Sequence, residues 1–136
     1  MRTTQLYWPT LKEAPADAEA VSHKLMVRAG LIRQLAAGLW TLLPAGWRAH
    51  RKVERIIREE MDAIGAHEML MPVLQPAEIW RESGRYKIPE LFKLEDRKHA
   101  ELVLAMTHEE SMTYQVGMEV RSYRELPLIL YHIQTK

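Results

Sequence analysis

Residues 104–114, "LAMTHEESMTY", place a hydroxyl, an imidazole and two carboxylates where an apolar, strand-like run hands over to a helix. Four chemistries are compatible with such a cluster: a metal site, an acid–base pair, a clamp for a cationic substrate, or a capped helix end. The capping reading is explicit, because Thr107-x-x-Glu110 has the spacing of a capping box. In it the Thr107 hydroxyl accepts from the backbone N–H three residues on, and Glu110 reaches back to the N–H of Thr107. Such a cap contributes about 1 kcal/mol. It leaves His108 and Glu109 unexplained. Glu109 gains from the helix dipole in a first turn, or it faces a cleft and pairs with a cationic ligand such as an amino group. The last two readings are compatible.

The other chemistries lack what they need. His108 and Glu109 are adjacent and diverge on a helix, and "HEES" is not the H-E-x-x-H of a zinc protease. His23, His50, His67, His99 and His132 are scattered, so no metal is expected. There is no cysteine, and Ser111 lies outside any G-x-S-x-G elbow, so no nucleophile is evident. Glu109 and Glu110 point about 100° apart on a helix and make a poor acid–base pair. Neither Gly-rich phosphate cradle, G-x-x-x-x-G-K-[ST] or G-x-G-x-x-G, occurs.

The elements that must position this cluster can be read from periodicity and punctuation. The opening to Pro15 has little periodicity and reads as a surface arm. Pro15 and Asp17 start a helix, "DAEAVSHKLMVRAG", that Gly30 can end. "LIRQLAAG" predicts a second short helix stopped by Gly38, and "LWTLLPAG" a strand and turn. In "WRAHRKVERIIREEMDAIGA", Val53, Ile56, Ile57, Met61 and Ile64 form one apolar helical stripe with Gly65 as its cap. Glu54 and Arg58 are spaced to pair on the polar side. "HEMLMPVLQP" predicts a strand interrupted by Pro72, which cannot donate to a ladder and so belongs at an edge or an irregularity. A short helix to Gly84, a hairpin across "ELFKLEDRKHAELVLAM", a helix from "THEE" and a last strand "PLILYHIQTK" follow. The order predicts an α+β fold with a mainly antiparallel sheet. A last strand without turn or polar tail leaves an unprotected edge, so the natural protein is expected to continue past Lys136.

At 136 residues the chain fits one domain with a real core, and an apolar fraction of 47% argues against disorder. A net charge of +1 gives no global field for nucleic acid. The missing cysteines fit a reducing compartment. The N-terminus lacks a signal-peptide core, and no run reaches the roughly 18 apolar residues of a membrane span. A cytoplasmic protein with no membrane partner is expected.

Four segments in order and at consistent spacing carry a family resemblance over essentially the whole chain: "TLKEAPADAEAVSHKLMVRAGLIRQLAAG", "KVERIIREEMDAIGAHEMLMPVLQPAEIWRESGR", "THEE" and "RSYRELPLILYHIQTK". Together they resemble the N-terminal part of bacterial-type prolyl-tRNA synthetases, which are class II aminoacyl-tRNA synthetases. The resemblance implies the N-terminal part of that family's antiparallel-sheet catalytic domain, preceded by helices. The long helix and "EMLMP" are similar to motif 1, with Pro72 as its proline, which in the family builds the homodimer interface. "THEE" is similar to the segment that holds the amino acid, so Thr107 and Glu109 would bind proline, Glu109 meeting its charged imino group. Where most members have Gly-Pro before this segment, the chain has Ala105 and Met106. "LPLILYHIQTK" is similar to the strand leading into motif 2. The Phe-Arg-x-Glu of motif 2 and the arginine of motif 3, which with Mg²⁺ hold ATP in the family, would lie past Lys136, as would the anticodon-binding domain. The implied activity of the full enzyme is activation of proline with ATP and its transfer to tRNA(Pro), and the isolated chain is expected to be inactive. The alternative is a naturally short synthetase-like protein that binds or dimerises without catalysis. Seryl and threonyl enzymes share motif 1, but not "THEE" with "LPLILYHIQTK".

Overall fold

The computed structural model describes residues 2–16 and 18–136, in two compact units, one up to Glu60 and one from Met61 to Lys136. The start of the first helix assigned to Asp17 lies outside the described residues; the helix α1 itself covers Val21–Arg28. Gly30 terminates it as expected, with φ 66°. The Gly30 N–H donates to the Val27 carbonyl and the Leu31 N–H to that of Met26, so two end carbonyls are satisfied.

"LIRQLAAG" is not a helix. Ile32–Ala36 (β1) and Leu39–Leu42 (β2) form an antiparallel hairpin, Ile32 opposite Leu42 and Ala36 opposite Leu39. The three-to-four spacing of Leu31, Ile32 and Leu35 is matched by β pairing once Gly38, at φ 75°, closes a tight turn. The N-terminal arm is pinned rather than loose. Trp8 Nε1 donates to the Ala29 carbonyl at 2.6 Å, and Arg33 donates to the carbonyls of Val27, Ile32 and Pro9.

The long helix α2 spans Pro44–Ala63. Proline suits its first position, where the missing N–H has no helical partner to lose. Gly65 at φ 79° ends it, with Gly65 N–H bonded to Asp62 O and Ala66 N–H to Met61 O. The predicted apolar stripe is there and is largely exposed: Val53, Ile56, Ile57 and Ile64 are 48–62% accessible. Glu54 pairs with His50 at 3.3 Å.

In the second unit the strand expected through Pro72 is broken in two. His67–Glu68 (β3) pairs in parallel with Leu130–Tyr131 (β7), which is all of the last strand that joins a ladder. Leu74–Pro76 (β4) joins an antiparallel sheet in the order β4-β6-β5, with Phe92–Glu95 as β5 and Glu101–Leu104 as β6. The β5–β6 pair is the hairpin read from the sequence. Pro72 sits exposed in the gap, where its lack of an N–H harms no ladder. Two glutamine amides replace the lost pairing. Gln134 accepts from Met71 N–H at 3.0 Å and donates to Met71 O at 2.8 Å. Gln75 donates to Pro72 O at 3.1 Å.

Helix α3, Ala77–Glu82, ends before Gly84 at φ 75°, and α4 runs Glu109–Glu119. Ala77 and Trp80 from α3, Leu91, and Val103 and Ala105 around β6 form the buried core of this unit. Trp80 is fully buried, and its indole N–H donates to Gln75 Oε1 at 2.9 Å, so no buried donor is left open there. The mixed architecture with small antiparallel sheets agrees with the α+β expectation.

Candidate functional site

The Thr107–Glu110 turn lies between β6 and α4. Its capping box does not form. The cap residue of α4 is His108, without a side-chain cap bond, because both ends of the expected box are engaged elsewhere. The reason is Arg85, just past α3. Its Nη1 donates to Thr107 Oγ1 at 2.9 Å and to the two oxygens of Glu110 at 2.8 and 3.0 Å. Ser83 Oγ donates to the same carboxylate at 3.1 Å. The Glu110 side chain is only 3% exposed, so this is a nearly buried ion pair that joins the end of α3 to the start of α4. The Arg85 guanidinium also lies 5.1 Å from the centre of the Trp80 ring.

Glu109 meets the same guanidinium more loosely. Its carboxylate is two-thirds exposed and stays 3.7 Å from Arg85 Nη1, beyond hydrogen-bond reach. A hydrogen bond from Thr107 is the main influence holding its pKa below the ordinary carboxylate value; burial opposes it, and its own backbone N–H and the charges of Lys136 and Arg85 add to the lowering. Glu109 is thus an ionised carboxylate at neutral pH with its outer face open. It borders a cleft of ≈ 540 Å³ between α3 and α4, together with Glu82, Ser83, Arg85, Glu110 and Tyr114. Three carboxylates against one guanidinium leave this cleft with negative charge, the sign that suits a cationic ligand.

His108 is fully buried. Gln134 Nε2 donates to Met71 O, and with Gln134 Oε1 taken by Met71 N–H its amide orientation is fixed. That amide nitrogen lies 2.7 Å from His108 Nε2, which must therefore accept, so the proton sits on Nδ1. Neither His108 Nδ1 nor that of His132, whose ring lies 5.0 Å away, has a partner. Burial, then His132 and Lys136, push the His108 pKa down, with Glu109 opposing, and the ring is neutral.

The turn therefore brings together Thr107 and Glu109, which the sequence had singled out, with Arg85, His132 and Gln134, which it had not. Pro72 belongs to a different part of the unit, at the β3–β4 break, where it borders a second cleft of ≈ 610 Å³ with Met71, Gln75 and Ser111. Gln134 sits at the polar end of the last segment, with Thr135 and Lys136 after it, so no local signal marked it.

Among solved structures the fold is similar to parts of aminoacyl-tRNA synthetases. The chain superposes, over 75% of its length, on 26% of a chain described as the RNA binding domain of threonyl-tRNA synthetase from Cryptosporidium parvum, with TM-score 0.68 and 25% identity. It superposes over 79% of its length on 24% of the Giardia lamblia prolyl-tRNA synthetase solved with prolyl-adenylate, with TM-score 0.71 and 26% identity. In sequence the similarity is to proline–tRNA ligases. Those of Desulfitobacterium hafniense and Pelotomaculum thermopropionicum are 56% and 55% identical over 138 aligned positions, covering all of this chain. The chain spans 24% of the length of these curated relatives. No protein-family model matches it.

Proposed function

We propose that this chain is part of a bacterial-type, class II proline–tRNA ligase, which activates proline with ATP and transfers it to tRNA(Pro). The observation that carries this reading is 54–56% identity to proline–tRNA ligases over the whole chain. Thr107 and Glu109 are assigned to the amino acid. An exposed, ionised carboxylate fixed by a neighbouring hydroxyl is what recognition of a charged imino group requires. Arg85 holds Glu110 at 2.8 Å and Glu109 only at 3.7 Å, so the two-thirds-exposed Glu109 carboxylate keeps an outer face for the ligand. Glu110, nearly buried against Arg85 and Ser83, is a positioning residue.

The exposed stripe of α2 and the neighbourhood of Pro72 are assigned to a homodimer interface, in keeping with motif 1. ATP and Mg²⁺ are assigned to segments of the enzyme outside these residues. Among the described residues no three His, Asp or Glu side chains converge as a metal site, so no step is assigned to Mg²⁺ on this chain. Among them, too, no helix is long and apolar enough to cross a membrane.

The test is proline-dependent exchange of pyrophosphate into ATP, measured for the protein encoded by the full reading frame and for its Glu109→Gln variant. The full protein should support exchange with proline, and the isolated 136-residue chain should not. Loss of one charge-assisted hydrogen bond, about 1.5–3 kcal/mol, should lower kcat/KM for proline by roughly 10- to 100-fold in the variant. A reading frame that stops at codon 136, or exchange with a different amino acid, would overturn the assignment.

A further inference from the structure

We infer that Gln134 and Gln75 are positioning residues for amino acid recognition: they brace His108, between Thr107 and Glu109, against the backbone of Met71 and Pro72. The inference rests on the assignment of Thr107 and Glu109 to the amino acid, and it adds how that turn is held for its ligand.

Two hydrogen-bonded routes make the brace. In the first, Gln134 accepts from the Met71 N–H at 3.0 Å and donates to the Met71 carbonyl at 2.8 Å, while its Nε2 lies 2.7 Å from His108 Nε2. In the second, Gln75 Nε2 donates to Pro72 O at 3.1 Å and to Ser111 Oγ at 3.0 Å. Ser111 Oγ lies 3.1 Å from His108 O and 3.3 Å from Met71 Sδ, so its one proton serves either end of the same span. His108 O also accepts from Met112 N–H at 2.9 Å. His108 is thus held by its ring and by its carbonyl, and both holds refer to the break between β3 and β4.

The amide orientations are determined, which makes the brace stiff. The indole N–H of Trp80 can only donate, and it meets Gln75 Oε1 at 2.9 Å, so both N–H groups of Gln75 serve Pro72 and Ser111. A flip of either glutamine would set donor against donor, Gln75 against Trp80 and Gln134 against the Met71 N–H. His108 is fully buried and Gln75 is 1% exposed, so bulk water does not compete for these bonds.

Stability alone does not call for such a network. Replacing paired buried polar groups by apolar side chains of similar shape is close to neutral, whereas hydrogen bonds in a dry site specify one geometry. Here that geometry is imposed on the middle residue of the ligand turn. Thr107 hydrogen-bonds to the Glu109 carboxylate across His108, so the placement of His108 sets where the pair stands. Arg85 does not supply this, because it holds Thr107 Oγ1 and Glu110 and stays 3.7 Å from Glu109. A binding carboxylate must be held to within about 0.5 Å by its supporting residues.

A double-mutant cycle of Gln134→Leu and Glu109→Gln tests the inference, read by pyrophosphate exchange in the enzyme encoded by the full reading frame. Gln134→Leu should raise KM for the amino acid by about 10-fold or more, while kcat and KM for ATP change by less than about twofold. In the Glu109→Gln background the same substitution should raise KM little further, because the carboxylate it positions is gone. Ser111→Ala, a smaller change that cuts the second route, should show the same pattern and serves if Gln134→Leu does not fold. Gln115→Ala, exposed on α4, is the control and should leave KM unchanged. Additive losses in the cycle, parallel losses in kcat and KM for ATP, or an unchanged KM in the brace variants would overturn the inference. Failure of the underlying assignment shows separately, in the single Glu109→Gln variant, as an unchanged KM for proline. Exchange with a different amino acid would remove proline alone, and the cycle run with that amino acid would still decide the brace.

Discussion

Arg85 Nη1 lies 2.8 Å from Glu110 Oε1 and 2.9 Å from Thr107 Oγ1, so one guanidinium holds both residues that the sequence pattern assigned to a helix cap. The consequence is a division of labour between adjacent glutamates. Glu110 is structural and nearly buried; Glu109 is ionised and open.

Removing Arg85 should therefore cost more than a surface ion pair does. Arg85→Ala strands the Glu110 carboxylate in a site where its side chain is 3% exposed, and a loss of about 3 kcal/mol is expected. Urea denaturation should show it. The double variant Arg85→Ala/Glu110→Leu should recover part of that loss, because the stranded charge is gone. Equal destabilisation in single and double variants would mean that Arg85 acts by packing on Trp80 instead.

Stability should also depend on pH through His108. Its folded pKa is depressed by burial, so the unfolded chain binds the extra proton first. The stabilising contribution is complete above the unfolded value of about 6.5 and is lost as pH falls from there through the folded pKa. Denaturation midpoints at a series of pH values should fall on acidification, and less steeply in His108→Gln. A protonated His108 would also turn an N–H toward the amide nitrogen of Gln134, which now donates to it.

A tight backbone approach in the first unit gives a third test. A Cβ on Gly46 would lie 2.2 Å from the Leu31 carbonyl oxygen, and a main-chain atom cannot swing aside. Gly46→Ala should destabilise by about 3 kcal/mol, at the upper end for overpacking. Gly117→Ala, with nothing within 4 Å, is the matched control and should be neutral or slightly stabilising.

The proposed homodimer rests on an apolar stripe that water now covers. Substituting Ile56 and Ile57 by Glu should lower the self-association of the 15.9 kDa chain in sedimentation equilibrium, with little change in helical circular dichroism. An unchanged association constant would move the interface away from α2.

Much of this molecule was written locally. α2, with Gly65 as its stop, follows from three-to-four spacing and a glycine at the left-handed position, both properties of neighbours in the chain. The β5–β6 hairpin and the short α3 ending before Gly84 are legible for the same reason. Glu109 as the partner of a cation could be posed from residue types alone, whereas a binding role for Thr107 came only from the family resemblance.

Where partners come from far along the chain, the sequence was silent or misleading. "LIRQLAAG" has helical spacing, yet it is a strand because β2 offers a ladder that an isolated segment lacks. The Thr107-x-x-Glu110 pattern matches a capping box, yet Arg85, more than twenty residues away, outbids the local backbone N–H groups with a charge-assisted bond in a sheltered site. Pro72 announced an irregularity, but its repair by Gln75 and Gln134 needed their amides brought to its side. Short-range geometry is fixed by spacing along the backbone. Which buried charge finds which partner depends on side chains that only the tertiary fold brings within 3 Å of each other.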